Sequence, residues 1–355
     1  MSGTPARTAD ADTATDVVCL GESMVTFLPS QPGRLADVPS FGRGIGGAES
    51  NVACALAAAG HRAAWVGRVG ADGFGDHLVE TIAGYGVDTS AVRRDPARPT
   101  GIYFRTATDR ATDVHEVAYY RAGSAASAMS PDNVPYEALF AGRVLHISGI
   151  TAALSADCLA LLRDLTAPRP GRPLVSFDVN HRPGLWRDAD AAPEVLLDLA
   201  RRSDLVFVGE DEAEEAWGVY GAEAIRAVLS EPGVLVVKRG GAGATVFSGP
   251  RSSGAAAADT VTTVPALHVD VVAPVGAGDA FAAGFLSATL RDLPVRERVR
   301  HGHLMAAAVL TVPGDLTAPP ARAHADALAA LDDEAWGRLR LGPGWTGDEQ
   351  EVRTT

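Results

Sequence analysis

The chain has 355 residues, 46% hydrophobic and 21% charged, which is typical of a globular protein with a sizeable core. Its 31 basic and 44 acidic residues give a net charge of −13, which disfavours nucleic acid and anionic membrane as partners. No run of about 18 apolar residues is present, so no membrane span is predicted. The cysteines (Cys19, Cys54 and Cys158) form no CxxC pair, so we expect buried thiols in a cytoplasmic protein.

The two ends of the chain differ in composition from its middle. Residues 1–15 are rich in Ala, Thr and Asp and lack the apolar core of an export signal, so they predict a disordered tail. Residues 342–355 predict a second tail. The domain between them is therefore predicted to span 16–341.

Short β-branched runs alternate with Ala- and Leu-rich stretches through most of this domain. In chain order, the predicted elements are a strand at Val17–Leu20, a helix at Glu49–Ala59, a strand at Ala63–Val69, strands at 145–147, 174–177 and 205–208, a helix at 222–230 and a strand at Val234–Lys238. This alternation predicts a parallel sheet covered by helices on both faces. Ligands bind such sheets at the carboxyl ends of the strands.

Two segments alternate like strands without helices between them. They lie within 23–43 and 101–121, and they predict a small antiparallel sheet outside the main one, arranged as a lid. Because exposed sheet edges can pair with other chains, a homo-oligomer through the lid strands is also expected.

The strongest motif runs from Asp270 to Leu286. A predicted strand, Leu267–Val272, enters a Pro-Val-Gly-Ala-Gly turn, and a helix of small residues follows. Backbone N–H groups that converge at a helix N-terminus form an anion site. Asp279 lies in the first turn of this helix, where it either caps the helix or accepts a proton from a hydroxyl attacking a phosphoryl group.

A second glycine-rich segment, Gly44–Ala53, contains Gly47, Ser50 and Asn51. It is either a ligand-binding turn or a turn with a helix cap. The chain has no GxxxxGK[ST] phosphate loop, and Gly21-Glu22-Ser23-Met24 after the first strand does not match a dinucleotide fingerprint.

The glycine run 46–75 and the segment from Asp270 to Leu286, in this order along the chain, resemble the N-terminal and C-terminal signatures of the ribokinase-like sugar and nucleoside kinases. The resemblance covers roughly 16–333. It implies a three-layer α/β/α fold with a mostly parallel sheet and a small β-sheet lid. It also implies an enzyme that uses ATP and Mg²⁺.

The resemblance assigns roles by position. Asp279 is similar to the catalytic base, and Gly276, Ala277 and Gly278 to the anion hole for the transferred phosphate. The segment Lys238–Gly243 resembles the nucleotide-binding strand and loop, which implies Lys238, Gly240, Gly243, Gly276 and Gly278 as nucleotide-binding residues. Glu212 matches the acidic end of an N-x-x-E pattern associated with Mg²⁺, whereas Gly209 replaces the Asn.

Within that family the chain most resembles the 2-keto-3-deoxygluconate kinases. The similar runs are Thr100–Tyr103, Tyr119–Ser127, His146–Thr151 and Asp178–Trp186. They imply a sugar acid as substrate, held by Gly47, Asn51, Tyr103, Tyr119, Arg121, Ile150 and Arg182 together with Asp279.

The chemistry of the residues agrees with an acid substrate, because a guanidinium binds a carboxylate through two hydrogen bonds. Met24 and Val25, after the first strand, supply no carboxylate to accept from sugar hydroxyls, which disfavours ribose or fructose. The alternatives are a fructokinase or other neutral-sugar kinase, the galactonate epimer as substrate, and a non-catalytic sugar sensor.

Ala273 departs from the family pattern. The family often has an Asp six residues before the catalytic Asp, where it helps to hold a monovalent cation. Without that carboxylate we expect little activation by potassium.

Overall fold

The computed structural model describes residues 14–31, 33–106, 116–249 and 259–347 and the backbone of 353–354. The strands are β1 (Val17–Leu20), β2 (Met24–Pro29), β3 (Phe41–Gly46), β4 (Ala63–Val66), β5 (Arg68–Gly70), β6 (Arg93–Asp95), β7 (Ile102–Arg105), β8 (Val117–Tyr120), β9 (Val144–Ser148), β10 (Leu174–Asp178), β11 (Leu205–Gly209), β12 (Val234–Lys238), β13 (Ala244–Ser248), β14 (Thr260–Val264), β15 (His268–Val269), β16 (Leu339–Leu341) and β17 (Arg353–Thr354).

The helices of the described residues are α1 (Ala48–Ala58), α2 (Gly73–Gly84), α3 (Tyr136–Leu139), α4 (Gly149–Leu154), α5 (Ala156–Thr166), α6 (Ala192–Arg202), α7 (Glu210–Trp217), α8 (Ala222–Val228), α9 (Ala277–Leu290), α10 (Val295–Leu310), α11 (Arg322–Ala329) and α12 (Asp333–Arg338). Among them, none combines the length and the apolar character that a membrane crossing requires.

The main sheet has eight strands in the order β14-β13-β12-β11-β10-β9-β1-β4. The strands from β4 to β12 in this order are all parallel, as predicted, whereas β13 and β14 add an antiparallel edge. The predicted strand Ala63–Val69 is interrupted at Gly67. A Cβ at that position would lie 2.5 Å from the Trp65 ring, so the backbone leaves the sheet where the indole packs against it.

Both faces of the sheet are covered, because alternate residues of each strand enter different cores. Val17 and Cys19 of β1 belong to a core shared with α1, α9 and α10. Val18 and Leu20 belong to a second core shared with α5, α6 and α8. The predicted three-layer α/β/α architecture is confirmed.

The lid is a separate four-stranded sheet in the order β3-β2-β7-β8. Its strands lie within or close to the predicted segments. The pair β2–β7 is parallel, so the prediction of an all-antiparallel lid is wrong. The chain leaves the lid after β3 and returns to it only at β7. No tight turn therefore joins β2 to β7, and the two strands need not run in opposite directions. Residues 107–115, within the predicted lid, lie outside the described residues.

The predicted strand Leu267–Val272 is shorter than expected. Only His268–Val269 form a strand, which pairs with β16 in a small sheet outside the main one. Val272 instead donates its N–H to the Leu310 carbonyl at 2.7 Å. The segment before the glycine turn is therefore hydrogen-bonded to the end of α10 and is not a strand of the main sheet.

The core also continues past the predicted domain end at 341. Trp345 is 4% exposed and packs in the same core as α9 and α10, so the start of the predicted C-terminal tail is wrong. Burial of a single indole removes enough apolar area from water to keep such a segment packed against the core. Residues 1–13, 348–352 and 355 of the predicted tails lie outside the described residues.

Replacing Trp345 with Ala is expected to lower the free energy of unfolding by about 3–5 kcal/mol, because the indole leaves a cavity in the core. Urea unfolding measures this. Tyr220→Ala, at a position where the tyrosine is 68% exposed, is the control and should change it by less than about 0.5 kcal/mol. Equal unfolding curves for the two variants would show that residues after 341 add nothing to the fold.

Candidate active site

The glycine turn before α9 has a backbone conformation that requires glycine. Gly276, the residue before the helix, has a φ of 79°. A Cβ there would lie 2.5 Å from the backbone oxygen of Asp315, so the turn and the loop after α10 are in direct contact. Ala277 and Gly278 follow in the first turn of α9, where the helix N-terminus favours an anion.

Asp279 is half-buried in the first turn of α9. The side-chain amide of Asn51, on α1, donates a hydrogen bond to its Oδ2 at 2.9 Å. Removal of water from around the carboxyl raises the pKa of Asp279 to about 7, although the Asn51 hydrogen bond and the charges of Lys238 and Arg182 oppose the rise. A carboxylate with a pKa near 7 is suited to accept a proton at neutral pH.

Lys238 lies beside the glycine turn. It ends β12, and its Nζ contacts both carboxylate oxygens of Asp178, at 3.1 and 2.9 Å. A Cβ on Gly278 would lie 3.7 Å from the same Nζ, so the ammonium group borders the predicted anion site. Burial lowers the pKa of Lys238, but the charges of Asp178, Glu212 and Asp279 and the hydrogen bonds to Asp178 together outweigh burial and raise it.

Sequence reasoning missed Asp178, which is 3% exposed at the end of β10. It is the first residue of the run Asp178–Trp186, which was singled out for its resemblance and not for this aspartate. The usable signal was its position, since a carboxylate directly after a buried strand lies at the ligand-binding edge of a parallel sheet.

Arg182 and Glu212 lie on the same side of the site as Lys238. One oxygen of Glu212 accepts the backbone N–H of Gly209 at 2.8 Å, and the other lies 3.6 Å from an Arg182 nitrogen. The Arg182 side chain is 56% exposed, and its charge acts on Asp279. Arg182 therefore lies near enough to Asp279 for its charge to act on that carboxyl, and its role as a ligand of the sugar stays a prediction.

The predicted nucleotide loop follows β12. Gly240 and Gly243 have φ values of 51° and 107°. A Cβ at Gly243 would lie 2.1 Å from the Val264 carbonyl, so this glycine lets the loop pack on β14. Arg239 of the same loop is 3.7 Å from Glu210.

The lid brings a second group of predicted residues together. Tyr103 is 7% exposed and lies with its ring 5.4 Å from that of Tyr119, which is 55% exposed. Arg121 lies 5.7 Å from the Tyr119 ring, and its Nε donates to Glu22 at 2.7 Å. The guanidinium that was predicted to bind substrate is therefore already paired.

Glu22 changes the expectation that no carboxylate lies after the first strand. It is 2% exposed and also accepts a hydrogen bond from the Ser124 hydroxyl at 2.5 Å. A Cβ on Gly47 would lie 2.4 Å from the Glu22 carbonyl, so α1 begins against this residue. The sequence showed Glu22 directly after β1, but not that the chain folds Arg121 onto it.

Ile150 lies in the first turn of α4, after Ser148, whose hydroxyl accepts its N–H at 3.2 Å. Hydroxyls of Ser148 and Thr151 donate to Glu49 at 2.7 and 2.8 Å. Glu49 is fully buried, and burial raises its pKa. It connects α1 to α4, a role that no sequence motif indicated.

The predicted residues thus form two groups. Asn51, Lys238, Gly278, Asp279 and Arg182 surround the glycine turn. The lid group contains Tyr103, Tyr119 and Arg121, with Gly47 close to the Glu22 that pairs with Arg121. Asp315 joins the two groups, since the Tyr103 hydroxyl donates to it at 3.2 Å while its backbone touches Gly276.

Residues 14–322 match the family described as pfkB family carbohydrate kinase. The chain belongs to this family. It is 34% identical over 316 residues to 2-dehydro-3-deoxygluconokinase of Bacillus subtilis, covering 86% of this chain and 93% of that protein. It is 30% identical over 297 residues to a probable chloroplastic fructokinase of Arabidopsis thaliana, covering 82% and 75%.

Among solved structures, a PfkB protein of a Polaromonas species superposes with a TM-score of 0.76 at 34% identity, covering 88% of this chain and 100% of that one. The predicted ribokinase-like fold and the prediction of a carbohydrate kinase are confirmed. Membership of a family of pfkB kinases favours an enzyme over the non-catalytic sensor.

Replacing Asp279 with Asn is expected to change how stability depends on pH. The pKa of Asp279 is about 7 in the folded chain against an ordinary value of 3.8, so the folded state binds this proton more tightly than the unfolded state. The carboxylate therefore lowers wild-type stability as the pH rises from about 4 to 7. At pH 8 the Asn variant should melt at a higher temperature than the wild type.

The matched control is Asp190→Asn, at an exposed position, which should follow the wild type at every pH. Thermal unfolding of the three proteins between pH 5 and 8 gives the comparison. An Asp279→Asn curve parallel to the wild type would mean that the carboxyl is not desolvated in the fold.

Proposed function

We propose that this pfkB kinase transfers the γ-phosphoryl group of ATP to the terminal C6 hydroxyl of 2-keto-3-deoxygluconate. Asp279 is the general base, and the Gly276–Gly278 turn is the anion hole. The observation that carries this proposal is the desolvated Asp279 carboxylate, hydrogen-bonded by Asn51 beside a glycine turn and the Lys238 ammonium.

Asp279 accepts the proton of the substrate hydroxyl. At the same time the hydroxyl oxygen bonds to the γ-phosphorus, and the bond from the γ-phosphorus to the departing ADP breaks. The amide of Asn51 orients the Asp279 carboxylate for this transfer. Backbone N–H groups of the turn and the Lys238 ammonium stabilise the negative charge that spreads over the phosphoryl oxygens. Lys238 is held in place by Asp178, so little reorganisation is needed during the reaction.

The site is chemically suited to ATP, since it combines a helix N-terminus, a glycine turn and a half-buried lysine. For Mg²⁺, the described residues contain no group of three or more acidic, His or Cys side chains placed to hold a metal. Glu212 would then be a single carboxylate ligand, direct or through water, and this fits an ion that is bound mainly by phosphates and water. Bound Mg²⁺ would neutralise phosphate charge.

The acid substrate is supported by the relative named 2-dehydro-3-deoxygluconokinase and by the arginines of the site. The Nε and Nη2 atoms of Arg121 both contact Glu22, which fixes the plane of the guanidinium near the Tyr119 ring. The charge of Arg182 acts on Asp279. We therefore assign the carboxylate to Arg121 first and give Arg182 a role toward either the carboxylate or the phosphate.

A neutral sugar such as fructose is the second candidate, and Glu22 is the observation that favours it. A buried carboxylate at the end of β1 is placed to accept hydrogen bonds from sugar hydroxyls. The fructokinase relative at 30% identity agrees with this reading. The galactonate epimer of the sugar acid is a variant of the first candidate.

The proposed homo-oligomer through the lid is supported by aromatic side chains on the lid sheet. The rings of Phe27 and Phe104 stack at 4.7 Å, and Phe41 and Tyr120 pack edge-on against Phe104. Tyr120 is 65% exposed, so this cluster offers apolar area to a second copy.

An ADP-release assay with ATP and Mg²⁺ tests the substrate. We expect the highest kcat/KM for 2-keto-3-deoxygluconate in a panel with 2-keto-3-deoxygalactonate, fructose and ribose. A higher kcat/KM for fructose would contradict the acid and select the second candidate.

Arg182→Ala refines the same assay. A carboxylate ligand predicts a KM increase of about tenfold or more for the sugar acid, with the KM for ATP unchanged. A phosphate ligand predicts a lower kcat and a higher KM for ATP with every sugar. Arg187→Ala, on the same loop and exposed, is the control and should match the wild type.

A further inference from the structure

Lid strand β7 carries two buried polar side chains at alternate positions, so both point to the same face of the strand. Tyr103 and Arg105 are each 7% exposed. Both reach Asp315, which lies 210 residues after Arg105: the Arg105 Nη2 donates to Oδ1 at 2.6 Å, and the Tyr103 hydroxyl donates to Oδ2 at 3.2 Å. One carboxylate therefore receives two donors from the lid.

Asp315 lies in the loop that follows α10, between the lid and the glycine turn. Its backbone oxygen is 2.5 Å from the position of a Cβ on Gly276. Together with Asn51 and Ala280 it also lines a cavity of about 10 Å³, so it borders the residue that orients Asp279. A shift of this loop would disturb both the turn and the surroundings of Asn51.

The Arg105–Asp315 pair is costly to bury. Burial raises the pKa of Asp315 against the opposing charge of Arg105, and the buried Nε of Arg105 has no hydrogen-bond partner among the residues that the structure describes. Two apolar side chains of similar size would often be at least as stable at such a position. Unlike apolar packing, the directional Arg105–Asp315 pair allows a single arrangement of the lid strand and the loop.

We propose that Arg105 is a positioning residue for phosphoryl transfer. Through Asp315 it fixes the loop after α10 against Gly276, and so couples the position of β7 to the shape of the anion hole. The inference rests on the proposed role of the glycine turn. It predicts a defect in the chemical step larger than the defect in binding, because the turn is aligned for the charge that develops during transfer.

The test compares Arg105→Met, Arg105→Lys and a control, Arg43→Met, at an exposed position on lid strand β3. ADP release is measured with the sugar that the wild type phosphorylates best, and rates are corrected for the folded fraction from urea unfolding. We expect Arg105→Met to lower kcat by about 10- to 100-fold with both KM values within about threefold. Arg105→Lys should lie between it and the wild type, and Arg43→Met should match the wild type.

A wild-type kcat per folded molecule in Arg105→Met would overturn the proposal, as would a loss confined to KM. An equal loss in Arg43→Met would also overturn it, because the effect would then belong to the lid in general. If Arg105→Met does not fold, Arg105→Lys decides: a reduced kcat supports positioning, and a wild-type kcat contradicts it. A full turnover rate in Asp279→Asn would instead defeat the proposed function itself.

Discussion

The hydrogen bond from Asn51 to Asp279 joins the two glycine-rich segments of the chain, which are separated by 228 residues in sequence. It holds the N-terminal ends of α1 and α9 side by side at the ligand-binding edge of the sheet. The two helices pack against each other, and both contribute fully buried small residues, such as Ala53 and Ala283, to the same core. The turn, the proposed base Asp279 and the positive ends of both helices are therefore fixed relative to one another.

Charge at this site runs against the charge of the whole protein. A chain with a net charge of −13 must bind an anionic nucleotide and, as proposed, an anionic sugar. Lys238 and Arg182 supply local positive charge next to the turn, and Asp178 and Glu212 hold these cations in place. Arg121 and Glu22 repeat the arrangement at the lid. Each cation is oriented by a neighbouring carboxylate, and the negative charge of that carboxylate also reduces the positive potential of the site.

The sequence predicted the parts of the fold that local pattern controls. Runs of β-branched residues indicated the buried strands. The glycines around Gly276 indicated a turn, and in the structure the position of Gly276 has no room for a Cβ. The place of Asp279 in that turn left a helix cap and a catalytic base open, and its role as the base was implied by the resemblance to the ribokinase-like kinases. The prediction for β15 was too long because strand formation there depends on β16, about 70 residues away, and no local signal shows a missing partner.

Contacts between side chains that are far apart in sequence could not be predicted from local sequence patterns. Nothing near Arg121 in sequence reveals that its guanidinium pairs with Glu22, 99 residues earlier. Asp178 and Asp315 gain their meaning only from Lys238 and from the lid. Trp345 falls within the tail that was predicted from residue 342 onward, although its indole is buried in the core.

The pH dependence of kcat/KM tests the central claim, that Asp279 is a desolvated general base. A base must be ionised to act, and burial places the pKa of Asp279 at about 7. We expect log kcat/KM to rise with unit slope below about pH 7 and to level off above it, with a rate at pH 5 about 100-fold below the plateau. A profile that is already flat from pH 5 upward would contradict it.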